Sequence, residues 1–247
     1  MKFKKLYVYG CSLTKDNYID TWADILSTKF RIPLTNFAER GAGYEYISSK
    51  VINTADKDPS TLHIIMWPSA DRFDLWVNGA TPHLQNDIDG ASWLDGNRPK
   101  FVDEFGEYND TRGWYISGAI PRGLKHIYYK YFYSQEYHIN HAWKTILFIQ
   151  KYLDSMQLNY VMASTYPLNN LIQYHNDSEI NVDKRIFEQI NLNKFVDKAI
   201  VQGFIQFSIN NNEVFFNPHY PNSAAHEHYV DSYLIPKINE LLHTSIY

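Results

Sequence analysis

The segment KLYVYGCSLT (residues 5–14) decides the fold prediction, because it joins a strand-like run to a tight turn. Leu, Val and Tyr dominate Lys4–Tyr9 and favour a buried strand. Gly10 ends the run, and Cys11 and Ser12 follow it. This arrangement can hold a nucleophile at the edge of a sheet. It can equally be a turn in which the Ser12 hydroxyl caps the next segment, so the rest of the chain must distinguish the two interpretations.

Strand and helix patterns alternate through the first third of the chain. After Lys4–Tyr9, the patterns predict a helix, a strand, a helix and a mostly apolar strand, in residues 19–30, 32–38, 44–55 and 61–67. This β-α-β-α-β order favours a parallel sheet with right-handed crossovers. The alternation resumes later with a strongly amphipathic helix, a strand, one or two helices and a C-terminal helix, in residues 138–156, 158–164, 181–202 and 221–242.

The alternation is interrupted at about residues 68–132, which are rich in Gly, Asn, Asp and Trp and lack sustained periodicity. A stretch of this length inside a compact domain predicts an insertion or cap after the third strand. Its tryptophans, Trp76, Trp93 and Trp114, suit either a carbohydrate-stacking platform or a small core of the insertion itself. We therefore predict a single α/β domain over residues 1–247 that carries one long insertion.

Composition narrows the class of protein. The net charge of −4 gives no basic footprint for nucleic acid or an anionic membrane, so neither partner is expected. The single cysteine cannot form an internal disulfide. No apolar run is long enough for a signal peptide or a membrane helix. We expect a soluble protein without a signal peptide, located in the cytoplasm or, if it is viral, associated with a virion or host cell.

Residues with chemical potential follow the predicted strands. Parallel strands place their carboxyl ends at one edge of the sheet, where binding groups collect. The groups expected there are Ser12, Gly41, Gly43, Ser69, Arg72, Ser164 and Thr165, with His219 and His226 near the start of the last helix. A hydroxyl, glycine turns and histidines suit nucleophilic acyl transfer, which needs an activated nucleophile and N–H groups for the developing negative charge.

Three segments carry a resemblance to a known family. YVYGCSLT resembles the first conserved block of the SGNH (GDSL-type) hydrolase superfamily, in which Gly-x-Ser follows the first strand. NFAERGAG is similar to its second block, in which an Asn precedes by five residues the Gly that lends an oxyanion N–H. HYPNSAAH resembles its fifth block, Asp-x-x-His-Pro with a further His downstream. The three occur in the family's order over nearly the full chain.

The resemblance implies a flavodoxin-like three-layer α/β/α sandwich and a metal-independent, cofactor-free esterase or deacylase. Ser12 would be the nucleophile and His219 the base, with His226 as second choice. The N–H groups of Ser12 and Gly41 would form most of the oxyanion hole. The implied substrate is an ester or O-acetyl group on a small molecule or a glycan. The composition and the WPSADRFDL segment are also similar to viral members, which suggests a phage origin.

The chain departs from the family pattern at three blocks. Cys11 replaces the usual Asp, and WPSADR lacks the oxyanion Asn, for which Ser69 is a candidate replacement. The fifth block has no Asp at the usual spacing, and Tyr220 separates His219 from Pro221. Counting back from Pro221 places Tyr220 at the family's catalytic position. If one residue is inserted before Pro221, His219 takes that position instead. A carboxylate from elsewhere, such as Asp71 or Asp74, would then have to orient the base.

Other interpretations remain open at this stage. Arg72 suits a substrate carboxylate or sugar substituent, but it also suits a solvated surface. The histidine pairs at 138/141 and 226/228 do not by themselves make a metal site, and none is predicted. The missing Asp and Asn favour an inactive relative that binds a glycan or a protein. A flavodoxin-like module for a phosphorylated ligand is less well supported, because no Gly-rich phosphate loop is present.

Overall fold

The structure is a computed structural model that describes residues 3–77, 101–102, 108–109, 113–116, 124–168, 182–196, 202–217 and 220–244. Within these ranges the strands form a parallel sheet, a smaller antiparallel sheet and a two-stranded ribbon. The strands in chain order are β1 (Lys5–Tyr9), β2 (Leu34–Asn36), β3 (Thr61–Trp67), β4 (Asp74–Val77), β5 (Phe101–Val102), β6 (Tyr108–Asn109), β7 (Gly113–Ile116), β8 (Asn159–Ser164), β9 (Phe215–Asn217) and β10 (Tyr220–Pro221).

The parallel sheet has the strand order β2-β1-β3-β8. Val8 of β1 is in register with Ile64 of β3, which is in register with Val161 of β8. Every residue of β3 is buried, as expected for a strand covered on both faces. A parallel bridge between Met162 and Phe195 extends the sheet beyond β8. This architecture confirms the predicted flavodoxin-like parallel sheet.

Helices cover both faces of this sheet. Helix α1 contacts α7 on one side, and α2 contacts α4 on the other, which produces the three layers. The helices in chain order are α1 (Trp22–Phe30), α2 (Tyr44–Thr54), α3 (Leu124–Tyr131), α4 (Gln135–Ser155), α5 (Lys184–Phe187), α6 (Phe204–Asn210), α7 (Ser223–Tyr229) and α8 (Ile235–Thr244).

The second sheet lies within the predicted insertion and has the order β4-β7-β5-β6 with antiparallel pairing. Its strands have two to four residues each, too short to produce a sustained periodicity in the sequence. Trp76 of β4 is exposed. Trp93 and the side chain of Trp114 lie outside the described residues, so the two interpretations of the tryptophans stay open.

The C-terminal part of the chain differs in detail from the prediction. Residues 223–244 run as one continuous helical segment in which Val230–Leu234 form a π-turn between α7 and α8. Pro236 follows this turn; proline cannot donate a helical hydrogen bond, and a widened turn accommodates the missing bond. In residues 181–202, where one or two helices are predicted, the described part contains the short helix α5 and a 3₁₀ turn, each begun by an Asp or Asn cap.

Among the helices that the structure describes, none is both long enough and apolar enough to cross a lipid bilayer.

Candidate active site

Ser12 lies in the turn that leaves the carboxyl end of β1. The N–H groups of Thr14 and Lys15 both donate to the Cys11 carbonyl, at 2.9 and 3.1 Å, which closes the turn. A Cβ on Gly10 would lie 2.2 Å from Oγ1 of Thr14, so only glycine fits there. Ser12 itself is only 5% exposed. The local sequence therefore sets Ser12 at the edge of the sheet with its hydroxyl turned into the molecule.

The hydroxyl groups of Ser12 and Tyr220 are hydrogen-bonded, with 3.0 Å between Oγ and Oη. Tyr220 belongs to β10 and directly precedes Pro221, at the position that the family pattern assigns to histidine when residues are counted back from the proline. His219, the predicted base, lies outside the described residues. The group in contact with Ser12 in the described part of the chain is thus a phenol.

His226, the second candidate base, lies in α7 and is 1% exposed. Its Nδ1 accepts a hydrogen bond from the backbone N–H of Trp22 at 3.1 Å, and its ring packs on Phe204. Burial lowers the pKa of His226 to about 4, so the ring is neutral at pH 7. The bond at Nδ1 leaves the proton on Nε2, which is buried without a partner among the described residues. The structure thus sets His226 against the start of α1, and its role as a base stays a prediction.

Residues 41–43, called the glycine loop below, connect β2 to α2. Gly41 has φ of 78°, in the left-handed region that favours glycine. The Ala42 carbonyl accepts a hydrogen bond from Nη1 of Arg72 at 3.1 Å. The N–H of Gly43 donates to Oδ2 of Asp74 at 2.7 Å. The chain segment after β3 therefore holds the loop that contains the predicted oxyanion donor.

Arg72 is the cation of this site. Burial by itself lowers the pKa of the Arg72 guanidinium, but the neighbouring Cys11, Asp71 and Tyr220 outweigh burial and hold it above the ordinary value. The side chain is half-buried, not freely solvated. A permanent positive charge thus interacts electrostatically with Tyr220, the hydrogen-bond partner of Ser12.

The remaining predicted hydroxyls are buried at the same edge. Ser69 is buried directly after Pro68, at the end of the third strand. The hydroxyls of Ser164 and Thr165, which follow β8, have no hydrogen-bond partner among the described residues. These positions agree with the expected edge, while the roles of Ser69 and Arg72 in binding stay predictions.

Asp74 is a residue of the candidate site whose contact with the glycine loop was not predicted from the sequence. Burial raises the pKa of its carboxyl to about 8, and nearby Glu45 adds to the increase, while the N–H groups of Tyr46 and Gly43 and the charge of Arg72 oppose it. Its contact with Gly43 spans 31 positions. No local pattern reveals such a contact, whereas the Tyr220–Pro221 dipeptide did offer a signal for Tyr220.

Three histidines outside the site have partners among the described residues. His138 contacts the Ala70 carbonyl through Nδ1 and the Tyr128 hydroxyl through Nε2, both at 2.8 Å. His141 and His228 lie 2.7 and 2.6 Å from carboxylate oxygens of Glu45 and Glu213. In the described ranges, His, Cys, Asp and Glu side chains form no group of three or more that could hold a metal ion.

The solved structures that are similar to this chain include two bacterial proteins. One is protein YxiM from Bacillus subtilis, with a TM-score of 0.45 and 9% identity over 99% of this chain and 57% of that chain. The other is an acetyl xylan esterase (Est2A) from the rumen bacterium Butyrivibrio proteoclasticus, with a TM-score of 0.41 and 10% identity over 97% of this chain and 64% of that chain. The chain thus spans less than two thirds of either structure.

A comparison with protein-family models and with curated proteins gave no match. Both similar structures come from bacteria, and the phage origin suggested by the sequence stays a prediction.

Proposed function

We propose that this protein is an SGNH-like ester hydrolase that forms an acyl-enzyme on Ser12. The observation that carries the proposal is the 3.0 Å hydrogen bond between Ser12 and Tyr220 at the carboxyl edge of the parallel sheet. It joins the first and fifth sequence blocks, which lie more than 200 residues apart, at the hydroxyl that the reaction needs. The proposed substrate is an ester or O-acetyl group on a small molecule or a glycan.

In the proposed reaction, Oγ of Ser12 attacks the ester carbonyl while a base takes its proton. The ester C–O bond breaks, the alcohol leaves with a proton, and water then releases the acid from Ser12. We assign the base to His219, next to Tyr220 in the chain, and we assign Tyr220 the role of orienting the Ser12 hydroxyl. The N–H groups of Ser12 and Gly41, with Ser69 as a further donor, would receive the negative charge on the carbonyl oxygen.

Within the proposed class of ester substrates, Arg72 supports those that carry a negative charge. Its charge interacts with Cys11 and Tyr220, and its Nη1 donates a hydrogen bond to the carbonyl of Ala42. A guanidinium in this position would bind a carboxylate or another negatively charged group near the ester. We therefore propose that acidic esters react faster than neutral esters of the same size.

The test is covalent labelling with a fluorophosphonate, read as intact mass. We expect one adduct on the wild type, none on Ser12→Ala, and an unchanged adduct on the matched control Ser208→Ala, which removes a buried serine hydroxyl of α6 that bonds only to the Phe204 carbonyl of its own helix among the described contacts. Loss of the adduct in His219→Ala assigns the base to His219. If labelling survives His219→Ala but not His226→Ala, the base is His226.

A second candidate function is a non-catalytic binding module for a glycan or protein. It is favoured by the phenol of Tyr220, which stands where the family pattern has an imidazole. This candidate predicts that the wild type does not label and that Tyr220→His begins to label. A hit in a glycan array or a thermal-shift screen, with no adduct on the wild type, would replace the hydrolase proposal with this one.

A further inference from the structure

The segment after β3 contacts the glycine loop at two successive residues. Arg72 donates to the carbonyl of Ala42, and Asp74 accepts from the N–H of Gly43. The same Oδ2 of Asp74 also accepts from the N–H of Tyr46 at 3.2 Å. One carboxyl oxygen therefore holds both the end of the loop and the first turn of α2.

Asp74 supplies the side-chain hydrogen bond that α2 lacks at its own start. The N-cap residue is Gly43, which has no side chain to receive the first N–H groups of the helix. A carboxyl oxygen at a helix N-terminus stabilises the start of the helix by accepting hydrogen bonds from these groups, whether or not the carboxyl group is charged. Because Asp74 lies on β4, the loop position depends on a residue from the insertion sheet.

Gly43 is required for this close approach. A Cβ on Gly43 would lie 2.8 Å from Oδ2 of Asp74 and 3.2 Å from the Cβ of Arg72. The first distance is shorter than side chains tolerate, so any other residue would push the loop and Asp74 apart. The glycine and the carboxyl group thus form a matched pair.

The surroundings of the Asp74 carboxyl contain charges of both signs. Glu45 of α2 and Arg72 of its own segment act on it. Glu45 lies in turn 2.7 Å from Nε2 of His141 on α4. Oδ1 of Asp74 and Oε2 of Glu45 are both buried without a hydrogen-bond partner among the described residues. Among the described residues, no other donor therefore forms a hydrogen bond with the Asp74 carboxyl group in competition with the N–H groups of Gly43 and Tyr46.

We propose that Asp74 is a positioning residue that fixes the glycine loop so that the N–H of Gly41 faces the carbonyl oxygen of a substrate bound at Ser12. The link to the reaction rests on the proposed ester hydrolysis. The link to the loop rests on the two hydrogen bonds of Asp74 and on the space at Gly43.

The experiment measures fluorophosphonate labelling over a range of probe concentrations, which separates the maximal rate from the apparent probe affinity. We expect Asp74→Ala to lower the maximal rate about 10- to 100-fold, because small misplacements of catalytic groups have effects of this size. The probe affinity should change little. Asp74→Asn keeps an acceptor oxygen and should restore most of the rate.

Two further variants keep the test decisive. Gly43→Ala leaves Asp74 intact but separates it from the loop, so it should reproduce the loss if Asp74→Ala fails to fold. Asp183→Ala removes an aspartate cap from the unrelated helix α5 and should label at the wild-type rate. Wild-type labelling in both Asp74→Ala and Gly43→Ala, or an Asp74→Asn rate as low as that of Asp74→Ala, would overturn the proposal.

Hydrogen exchange of residues 41–47 separates this proposal from the proposed function. We expect faster exchange in Asp74→Ala than in the wild type or Asp74→Asn. If the wild type does not label at all, ester hydrolysis is refuted, and the exchange result alone decides whether Asp74 positions the loop. Unchanged exchange in Asp74→Ala refutes the positioning role whatever the labelling shows.

Discussion

The two ends of the parallel sheet shift the pKa of an aspartate in opposite directions. At the amino end, Lys5 lies 3.0 Å from Asp56 and 3.2 Å from Asp58. Hydrogen bonds from the backbone and hydroxyl of Ser60, together with the contact to Lys5, lower the pKa of Asp58 to about 2. At the carboxyl end, burial raises the pKa of Asp74 to about 8. The same side chain is stabilised as an anion at one end and destabilised as an anion at the other.

This difference separates a structural end from a candidate functional end. Charges at the amino end remain close to water and have partners of opposite sign, and such exposed ion pairs contribute little to stability. At the carboxyl end, the buried Asp74 contacts the glycine loop, and the buried Ser12 contacts Tyr220. Perturbed titratable groups of this kind cluster at functional sites, so the electrostatics agree with the proposed location of the site.

The largest expected change in the pH dependence of stability comes from Asp74→Asn. Between the ordinary pKa of 3.8 and the native value of about 8, the folded state keeps a proton that the unfolded state has lost. Wild-type stability should therefore fall as pH rises through this window, at up to about 1.4 kcal/mol per pH unit, relative to Asp74→Asn. Denaturant unfolding at pH 5, 6.5 and 8 measures this difference in the free energy of unfolding. Parallel plots of unfolding free energy against pH for the two proteins would contradict a buried, protonated carboxyl group.

A smaller effect of the opposite sign is expected for His226→Gln. The native pKa of about 4 lies below the ordinary 6.5, so the folded state binds fewer protons than the unfolded state in that window. Wild-type stability should decrease as pH falls from 6.5 to 4, by at most about 1.4 kcal/mol per pH unit relative to His226→Gln. Thermal unfolding at pH 4, 5 and 6.5 measures the difference, and parallel pH curves for the two proteins would contradict the buried, neutral imidazole.

The smallest effect is expected at the amino end, for Asp58→Asn. The native pKa of about 2 lies below the ordinary 3.8, so the stability that Asp58 provides is present above pH 4 and is lost as pH falls toward 2. Because Lys5 and Asp58 are exposed, added salt should reduce the difference between the variant and the wild type. A difference in melting temperature that persists at pH 2 or in 1 M salt would show that Asp58 acts by another route.

The sequence predicted the central architecture because that architecture depends on local patterns. The run at Lys4–Tyr9 and the apolar residues 61–67 carried the signal for β1 and β3, and the amphipathic stripe over 138–156 carried the signal for α4. Helix α6, Phe204–Asn210, was not predicted. The short strands of the insertion sheet were also beyond prediction, because their stability comes from pairing across the chain rather than from periodicity.

The candidate site was only partly predictable for a related reason. Ser12 and the glycine loop follow directly from strand ends, and a turn residue at a strand end is visible in the sequence. Whether Tyr220 or His219 meets Ser12 depends on a shift of one residue in the fifth block, which spacing alone does not resolve. The role of Asp74 depends on a contact between the insertion sheet and α2, which only the folded chain reveals.

The contact between Ser12 and Tyr220 has a kinetic consequence. Ser12 is 5% exposed and its hydroxyl is bonded to the phenol, so in the proposed reaction Tyr220 would have to shift before a substrate could reach the hydroxyl. The ribbon that carries Tyr220 contains two residue pairs, a short ladder that costs little to open. In the proposed ester hydrolysis, acylation would include a gating step before any bond is made, and its rate would saturate at the opening rate of the ribbon even for the most reactive ester.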